Sequence, residues 1–200
     1  MLDAVFGGRY PRHSYHEKWA PDGTSLARMD NGGGDSYGIA FAEAGTFLFG
    51  FDHECAISPY VQDPPAHWPG LLDGLPDSLA HFTREPSFLF EDILEATVCA
   101  WHEPGDSGWR CGTLDFSGPL AEGDSDPDGA MWLFPMVAVG SPAEYTQWAN
   151  GYFSVETDEA AVAAILAGRP LTEVLVHAIH EPADFATVAA KAAEMGYPVA

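Results

Sequence analysis

Basic side chains are scarce in this 200-residue chain, which carries 8 Lys and Arg against 30 Asp and Glu. Between Met29 and Gly168, only Arg84 and Arg110 stand against 23 carboxylates. Because contacts to phosphate groups depend on Lys and Arg, this composition argues against nucleic acid and anionic membrane surfaces as partners. So acidic a surface either keeps the protein in solution or attracts a basic partner protein.

Long apolar runs and a disulfide framework are absent as well. No stretch approaches the roughly 18 apolar residues that a membrane span needs, and Met1 to Val5 lack the basic start of a signal peptide. The three cysteines, Cys55, Cys99 and Cys111, form no CxxC or Cys/His ladder. This argues against structural zinc and favours reduced thiols. We therefore expect a soluble, cytoplasmic protein.

A first β-hairpin is predicted by alternating apolar side chains. They are Tyr37, Ile39 and Phe41 on one strand and Phe47, Phe49 and Phe51 on the next. A three-residue loop, Glu43-Ala44-Gly45, pairs Ile39 with Phe49 and places all six side chains on one face.

A second hairpin is predicted from LEATVCAW and WRCGTLDF, which flank a turn containing Pro104 and Gly105. Pairing Trp101 with Trp109 makes Cys99 and Cys111 cross-strand neighbours as well. Between the two hairpins, HWPGLLDGLPDSLAHF spaces its apolar residues as a helix does, with a break near Pro76.

Helix starts dominate the rest of the chain. The segment SPAE at 141–144 is a capping box, and further helices are predicted to open at Thr157, at Pro170 and from about Pro182. These patterns predict an α+β fold in which antiparallel hairpins form a sheet, packed by helices concentrated in the C-terminal third. We expect a single domain over 1–200, with an irregular segment at 1–24, a hairpin-rich sheet at 25–118 and helices at 129–200.

The stretch NGGGDSYGIAFAEAGTFLFGFDHE, residues 31–54, holds the strongest local signals. Its glycines lead into a strand, with no lysine following, so they predict a turn with positive φ and no phosphate loop. Asp52, His53 and Glu54 could be metal ligands, but adjacent residues of a strand point to opposite faces. Extending the hairpin puts Asp35 opposite His53, and we prefer this Asp–His pair to a metal site.

Three other motifs indicate no complete active site, and for one of them, the acidic loop DSDPDG, weak binding of a divalent ion stays open as an alternative. GDSG at 105–108 lacks the base and orienting group of a catalytic serine. DSDPDG, with Asp124, Asp126 and Asp128, resembles a calcium loop but has Pro135 where a bidentate Glu belongs. His13 and His16 lack a third ligand. We nominate no catalytic residue, no metal ligand and no cofactor.

Residues 31–54 resemble the central signature of SUKH-superfamily immunity proteins. In that family a Gly-rich turn with Asp precedes a strand, and the next strand ends in a segment like Phe51-Asp52-His53-Glu54. The resemblance implies a cytoplasmic binding protein that neutralises a toxin domain without catalysis.

The leading hypothesis is therefore a non-enzymatic, acidic binding protein of toxin-immunity type, with a basic protein as partner. Its candidate binding residues are Asp35, Asp52, His53, Glu54, Tyr60 and Trp68, with Trp19 as a further exposed aromatic. One alternative is a hydrolase or metal-dependent enzyme that uses Asp30, Asp35, Asp52, His53 and Glu54. Another is a structural or regulatory domain without a ligand. The sequence does not specify the oligomeric state.

Overall fold

The computed structural model describes residues 1–8, 11–116, 125–138 and 140–200. The chain, for which we predicted one domain, divides into two compact units. The first unit combines Met1–Glu17 with Phe134–Ala200, and the second is Lys18–Leu133. Within the described residues, no helix is both long enough and apolar enough to cross a lipid bilayer.

The secondary structure confirms the predicted α+β class, because an antiparallel sheet is followed by helices in the C-terminal part. The strands are β1 (His13–His16), β2 (Ser25–Asp30), β3 (Ser36–Ala42), β4 (Gly45–Phe51), β5 (Leu89–Phe90), β6 (Ile93–Leu94), β7 (Val98–His102) and β8 (Arg110–Cys111). The helices are α1 (Leu2–Phe6), α2 (Ala130–Leu133), α3 (Pro135–Ala138), α4 (Pro142–Phe153), α5 (Glu159–Leu166), α6 (Glu173–Ile179) and α7 (Phe185–Glu194). Short 3-10 helices lie at Pro59–Val61, Ala80–Arg84 and Pro86–Phe88.

The sheet of the second unit contains β2, β3, β4, β7 and β8 in this order, with each neighbouring pair antiparallel. Strands β5 and β6 form a separate two-stranded ribbon. One face of the larger sheet covers an apolar core of twelve buried residues. The largest of them are Phe47, Phe49, Phe82, Phe88 and Trp101.

The predicted register of the first hairpin is wrong by one residue. Ala42 pairs with Gly45 across a two-residue turn, so that Phe49 lies opposite Gly38 and not opposite Ile39. A shift of one residue moves side chains to the other face of a strand. Phe47 and Phe49 are therefore buried in the core, whereas Phe41 on the opposite face is 42% exposed.

The reason for this register lies in the space above Gly38. A Cβ atom built on Gly38 would lie 2.5 Å from the Phe49 ring, so only glycine leaves room for that ring across the strand pair. The ring also packs on Phe88, at a centroid distance of 4.6 Å. The predicted register was based on the large side chains alone and did not consider the glycine that makes room for one of them.

The second hairpin also pairs differently from the prediction. Ala100 lies opposite Cys111, and Trp101 opposite Arg110. Cys99 is therefore buried and Cys111 exposed, on opposite faces of the sheet, and the predicted Cys99–Cys111 pair is wrong. All three cysteines lie within the described residues, and none forms a disulfide.

Arg110 makes two ion pairs across this turn. Its guanidinium group lies 2.6 Å from the Glu103 carboxylate and 3.0 Å from that of Asp106. Both contacts accompany the observed pairing, in which Arg110 and not Trp109 lies opposite Trp101.

The segment 67–82 supplies core side chains, as predicted, but it does not form an α-helix. Leu71, Leu79 and Phe82 are buried on turns and on the 3-10 helix Ala80–Arg84. Gly70 and Gly74 adopt positive φ angles of 89° and 80°, which interrupt a helical backbone.

The helix starts predicted for the first unit agree better with the structure. Ser141 and Glu144 form the capping box of α4. The starts predicted at Thr157, Pro170 and Pro182 fall one or two residues before the observed N-caps, which are Asp158, Thr172 and Asp184. Capping depends on neighbouring residues alone, so the sequence is sufficient to predict it.

The first 24 residues are not irregular throughout, which corrects the expectation for this segment. Leu2 and Val5 of α1 are buried in the core of the first unit together with residues of α4 to α7. The buried Asp3 carboxylate binds the backbone and ring nitrogens of His13 in β1, at 2.8 and 3.1 Å. The prolines of this segment, Pro11 and Pro21, lie beyond α1, and the prediction wrongly extended their effect to Leu2 and Val5.

Replacing Gly38 by alanine tests the register. The new methyl group would collide with the buried Phe49 ring, so we expect the free energy of unfolding to fall by about 1–3 kcal/mol. Chemical denaturation measures this change. Gly108→Ala is the matched control, because no atom lies within 4 Å of a Cβ built there. Equal stability of the Gly38→Ala variant and the wild-type protein would contradict the register.

Candidate functional site

A buried carboxylate, that of Asp35, lies at the centre of the candidate site. Asp35 is 5% exposed. Its Oδ1 accepts hydrogen bonds from the backbone nitrogen of His53 at 3.2 Å and from His53 Nδ1 at 2.7 Å. Its Oδ2 accepts from Asn31 Nδ2 at 2.6 Å and from Trp132 Nε1 at 3.0 Å. The predicted Asp35–His53 pair is confirmed, and Trp132 is a partner that the sequence did not reveal.

The turn that precedes β3 positions Asp35. Asn31 Oδ1 accepts hydrogen bonds from the backbone nitrogens of Gly33 and Asp35, at 2.7 and 3.1 Å. Gly32 and Gly34 adopt positive φ angles of 72° and 113°, as predicted for a turn. A Cβ on Gly34 would lie 2.9 Å from the His53 ring, so the glycine also makes room for the imidazole.

The triplet Asp52, His53 and Glu54 lies on a turn, because β4 ends at Phe51. Asp52 Oδ1 accepts a hydrogen bond from the Glu54 backbone nitrogen at 3.0 Å. The expectation that these residues alternate between two faces is therefore wrong. Ligand atoms of Asp35, Asp52 and His53 lie within 4.8 Å of one another, close enough to share a metal ion.

The hydrogen bonds of Asp35 decide against its use as a metal ligand. A carboxylate offers about four lone-pair positions. Four N–H groups already donate to Asp35, two to each oxygen. A metal ion would have to displace at least one of these donors from a buried group. Asp52 and His53 alone form an incomplete site.

The acidic loop 125–129 forms the other side of the site. Asp126 accepts hydrogen bonds from the backbone nitrogens of Met131 and Trp132, both at 2.9 Å, and Asp128 accepts one from Ala130 at 3.1 Å. These two carboxylates thus bind the backbone at the start of α2, whereas the calcium-loop resemblance would direct them at an ion. Asp124 lies outside the described residues.

Several contacts attach this loop to the end of the sheet. Thr97 Oγ1 donates to the Asp128 carbonyl at 2.7 Å and accepts from the Asp52 backbone nitrogen at 3.3 Å. The Cys55 thiol donates to the Pro127 carbonyl at 2.7 Å. Gly129, with a φ of 76°, packs so closely on Asp52 that a Cβ would lie 2.5 Å from the Asp52 Cβ. Trp132 is therefore held beside His53 by the backbone as well as by Asp35.

The pKa values of the titratable groups in the site shift in the directions that these contacts predict. The hydrogen bond from Asp35 raises the pKa of His53, whose side chain is 43% exposed. Burial acts to raise the pKa of Asp35, but the hydrogen bonds from His53, Trp132 and Asn31 outweigh it and hold this pKa below its ordinary value. Burial and the neighbouring Asp126 raise the pKa of Asp128. An ionised Asp35 beside a readily protonated His53 is therefore the favoured state.

The remaining candidates from the sequence have other contacts. The Tyr60 hydroxyl donates to Glu95 Oε1 at 3.3 Å, and burial raises the pKa of this phenol. Trp68 Nε1 donates to the Asp115 carbonyl at 3.2 Å. Trp19 stacks on the buried Phe88 at 5.3 Å. Among the described hydrogen bonds, none joins these three aromatics to Asp35 or His53.

Asp30, a candidate of the enzyme alternative, serves the same turn as Asn31. Its Oδ1 accepts a hydrogen bond from the Gly32 backbone nitrogen at 2.8 Å. In the GDSG segment, Asp106 accepts hydrogen bonds from the Glu103 backbone nitrogen and from Arg110, at 2.9 and 3.0 Å. Both aspartates therefore have local structural roles.

In comparisons with known proteins, no protein-family model, curated protein or solved structure matches this chain.

Replacing Asp35 by asparagine should lower the pKa of His53 towards the unfolded value of about 6.5. The stability that His53 contributes is fully present below the pKa of its side chain in the unfolded state. It is lost as pH rises through the pKa of His53 in the folded state. The stability that Asp35 contributes is present above its unfolded pKa of about 3.9 and is lost as pH falls through the folded one. The wild-type protein should therefore exceed the variant in stability most between about pH 4 and 6.5.

NMR titration of His53 and denaturation across pH measure these two effects. Asp30→Asn is the control, because Asp30 is exposed and binds the same turn, and none of the described hydrogen bonds joins it to His53. An unchanged His53 pKa in the Asp35→Asn variant would mean that the observed hydrogen bond does not govern the titration of His53.

Proposed function

We propose that the second unit is a non-enzymatic binding module that recognises a basic protein through Trp132, His53, Asp52 and Glu54. The observation that carries this proposal is the state of Trp132. Its side chain is 61% exposed, yet its indole N–H is bound to the buried Asp35 carboxylate. An exposed tryptophan with a fixed orientation is a feature of recognition sites.

The fixed orientation matters because binding normally immobilises side chains at a cost of about 0.5–1.5 kcal/mol each. In Trp132 the indole hydrogen bond and the two bonds from its helix to Asp126 restrict the ring before any partner arrives. Tryptophan is also among the residues that contribute most at interface centres. The ring is therefore suited to anchor a partner.

The charge around Trp132 selects the kind of partner. The second unit carries 20 acidic residues and four basic ones. Next to His53, the Glu54 side chain is 86% exposed, and Asp52 is partly buried. A Lys or Arg side chain of a partner could lie over the indole ring as a cation–π contact and pair with these carboxylates. An acidic partner would be repelled.

The resemblance of residues 31–54 to SUKH-superfamily immunity proteins supports a narrower proposal. The residues that carry the resemblance also build the site: the Asn31 turn, Asp35 and the triplet Asp52-His53-Glu54. We propose that the basic partner is a toxin domain and that the protein neutralises it by binding, in the cytoplasm.

A metal-dependent enzyme is the second candidate, because Asp35, Asp52 and His53 lie close enough to share an ion. The two proposals differ in their response to chelation. An ion bound by these three side chains only in the folded protein would contribute to folding, so EDTA would lower the melting temperature by many degrees. The binding proposal expects the melts with and without EDTA to coincide, since Asp35 is satisfied by N–H donors.

Affinity capture with three baits tests the binding proposal. The baits are the wild-type protein, Trp132→Ala and Trp109→Ala; Trp109 is a matched control because it lies in the same unit and is 55% exposed. We expect a basic protein to be retained by the wild-type and Trp109→Ala baits and lost from Trp132→Ala. Its association rate should fall steeply as salt rises to physiological levels, because the Debye length shrinks to about 8 Å.

A partner that is acidic, or that binds Trp132→Ala as well as the wild-type protein, would contradict the proposal. So would an association rate that does not depend on salt. A large loss of thermal stability in EDTA would favour the metal-dependent enzyme instead.

A further inference from the structure

A cavity lined by lysine and histidine side chains lies in the first unit, within residues that the binding proposal does not use. Its volume is about 210 Å³. Strand β1 contributes His13 and His16 to its lining, and helix α7 contributes Lys191 and Glu194. Met1, Ala4 and Met195 provide apolar walls.

Lysine and histidine side chains are concentrated here, in contrast to the acidic composition of the whole chain. The chain has two lysines in 200 residues, and one of them, Lys191, lines this cavity with two of the eight histidines. The first unit has ten carboxylates, of which Glu194 alone lines the cavity. Apolar walls of low dielectric constant focus the field of the charges beside them.

The imidazole of His13 is held in a fixed position. Asp3, 6% exposed, accepts hydrogen bonds from the backbone nitrogen and Nδ1 of His13 through Oδ2, and from the Tyr145 hydroxyl through Oδ1 at 3.3 Å. The ring also packs edge-on against Trp148 at 6.1 Å. This support fixes the orientation of the ring at the cavity before any ligand binds; with Nδ1–H donated to Asp3, the other ring nitrogen is a donor when the imidazole is protonated.

A metal ion does not fit this cavity. Within the described part of the chain, the only group of His, Cys, Asp or Glu side chains close enough to share an ion is Asp35, Asp52 and His53. His13 and His16 have the spacing of a ligand pair, but the described residues provide no third ligand beside them. A lysine in the lining also repels a cation.

We propose that this cavity binds a small oxyanion, a phosphate or carboxylate group, between Lys191, His16 and His13. The volume is below the roughly 300 Å³ at which pockets for larger organic ligands begin, so the ligand is small or inserts only its charged group. Lys191 supplies the charge, His16 supplies an N–H donor, and His13 supplies a second donor when its ring is protonated.

Titration with inorganic phosphate, sulfate and acetate, at constant pH and ionic strength set with NaCl, tests this proposal. The imidazole resonances of His13 and His16 report binding by NMR. We expect saturable changes confined to β1 and the end of α7. Tighter binding of phosphate and sulfate than of acetate would identify a tetrahedral anion, and the reverse order a carboxylate.

Two substitutions with opposite expected effects separate binding from general damage. Lys191→Gln should weaken binding about tenfold, the effect of losing one charge-assisted hydrogen bond. Glu194→Gln should strengthen binding, because it removes the only carboxylate of the lining. Arg169→Gln is the control, since it removes a positive charge from the same unit outside this cavity.

Three results would overturn the proposal. One is the absence of saturable shifts with all three anions. The second is an equal loss of affinity in Arg169→Gln and Lys191→Gln. The third is weaker binding in Glu194→Gln, which would point to a structural role of that carboxylate.

Discussion

A carboxylate that is buried away from water needs hydrogen-bond donors from the protein in place of the lost water molecules. At Asp35, four N–H groups provide these hydrogen bonds. The donors come from three separate places: the Asn31 turn, the turn after β4 at His53, and Trp132 beyond the acidic loop. A buried charge that loses one such donor costs about 1–3 kcal/mol or more. The three segments are thus held together by one charge, and each depends on the others for its position.

This arrangement links stability to recognition. Trp132 is exposed on one side and bound to a buried group on the other, so the ring has a defined direction without being part of the core. His53 shares the same carboxylate, which favours its protonated form. The site therefore presents an aromatic ring and a titratable ring in fixed positions amid carboxylates, an arrangement suited to a cationic partner.

The sequence predicted the contacts between residues that are close together along the chain, and it missed those between residues far apart. The capping box of α4 and the positive φ of the glycine turn were predictable because their causes lie within four residues. The Asp35–His53 pair was predicted from a register that is wrong by one residue. The observed register, continued past Phe51, brings Asp35 to Asp52, and the turn that follows β4 returns His53 to the carboxylate. Trp132 is 97 positions from Asp35, and no local pattern connects them.

The exchange rate of the Trp132 indole proton tests most directly whether Asp35 organises this site. Trp109 is an internal reference, because its ring is 55% exposed against 61% for Trp132. NMR in D₂O under native conditions should show slow exchange at Trp132 Nε1 and fast exchange at Trp109. In an Asp35→Ala variant the protection at Trp132 should be lost, while the amides of β3 and β4 remain protected. Exchange at Trp132 as fast as at Trp109 in the wild-type protein would contradict the account.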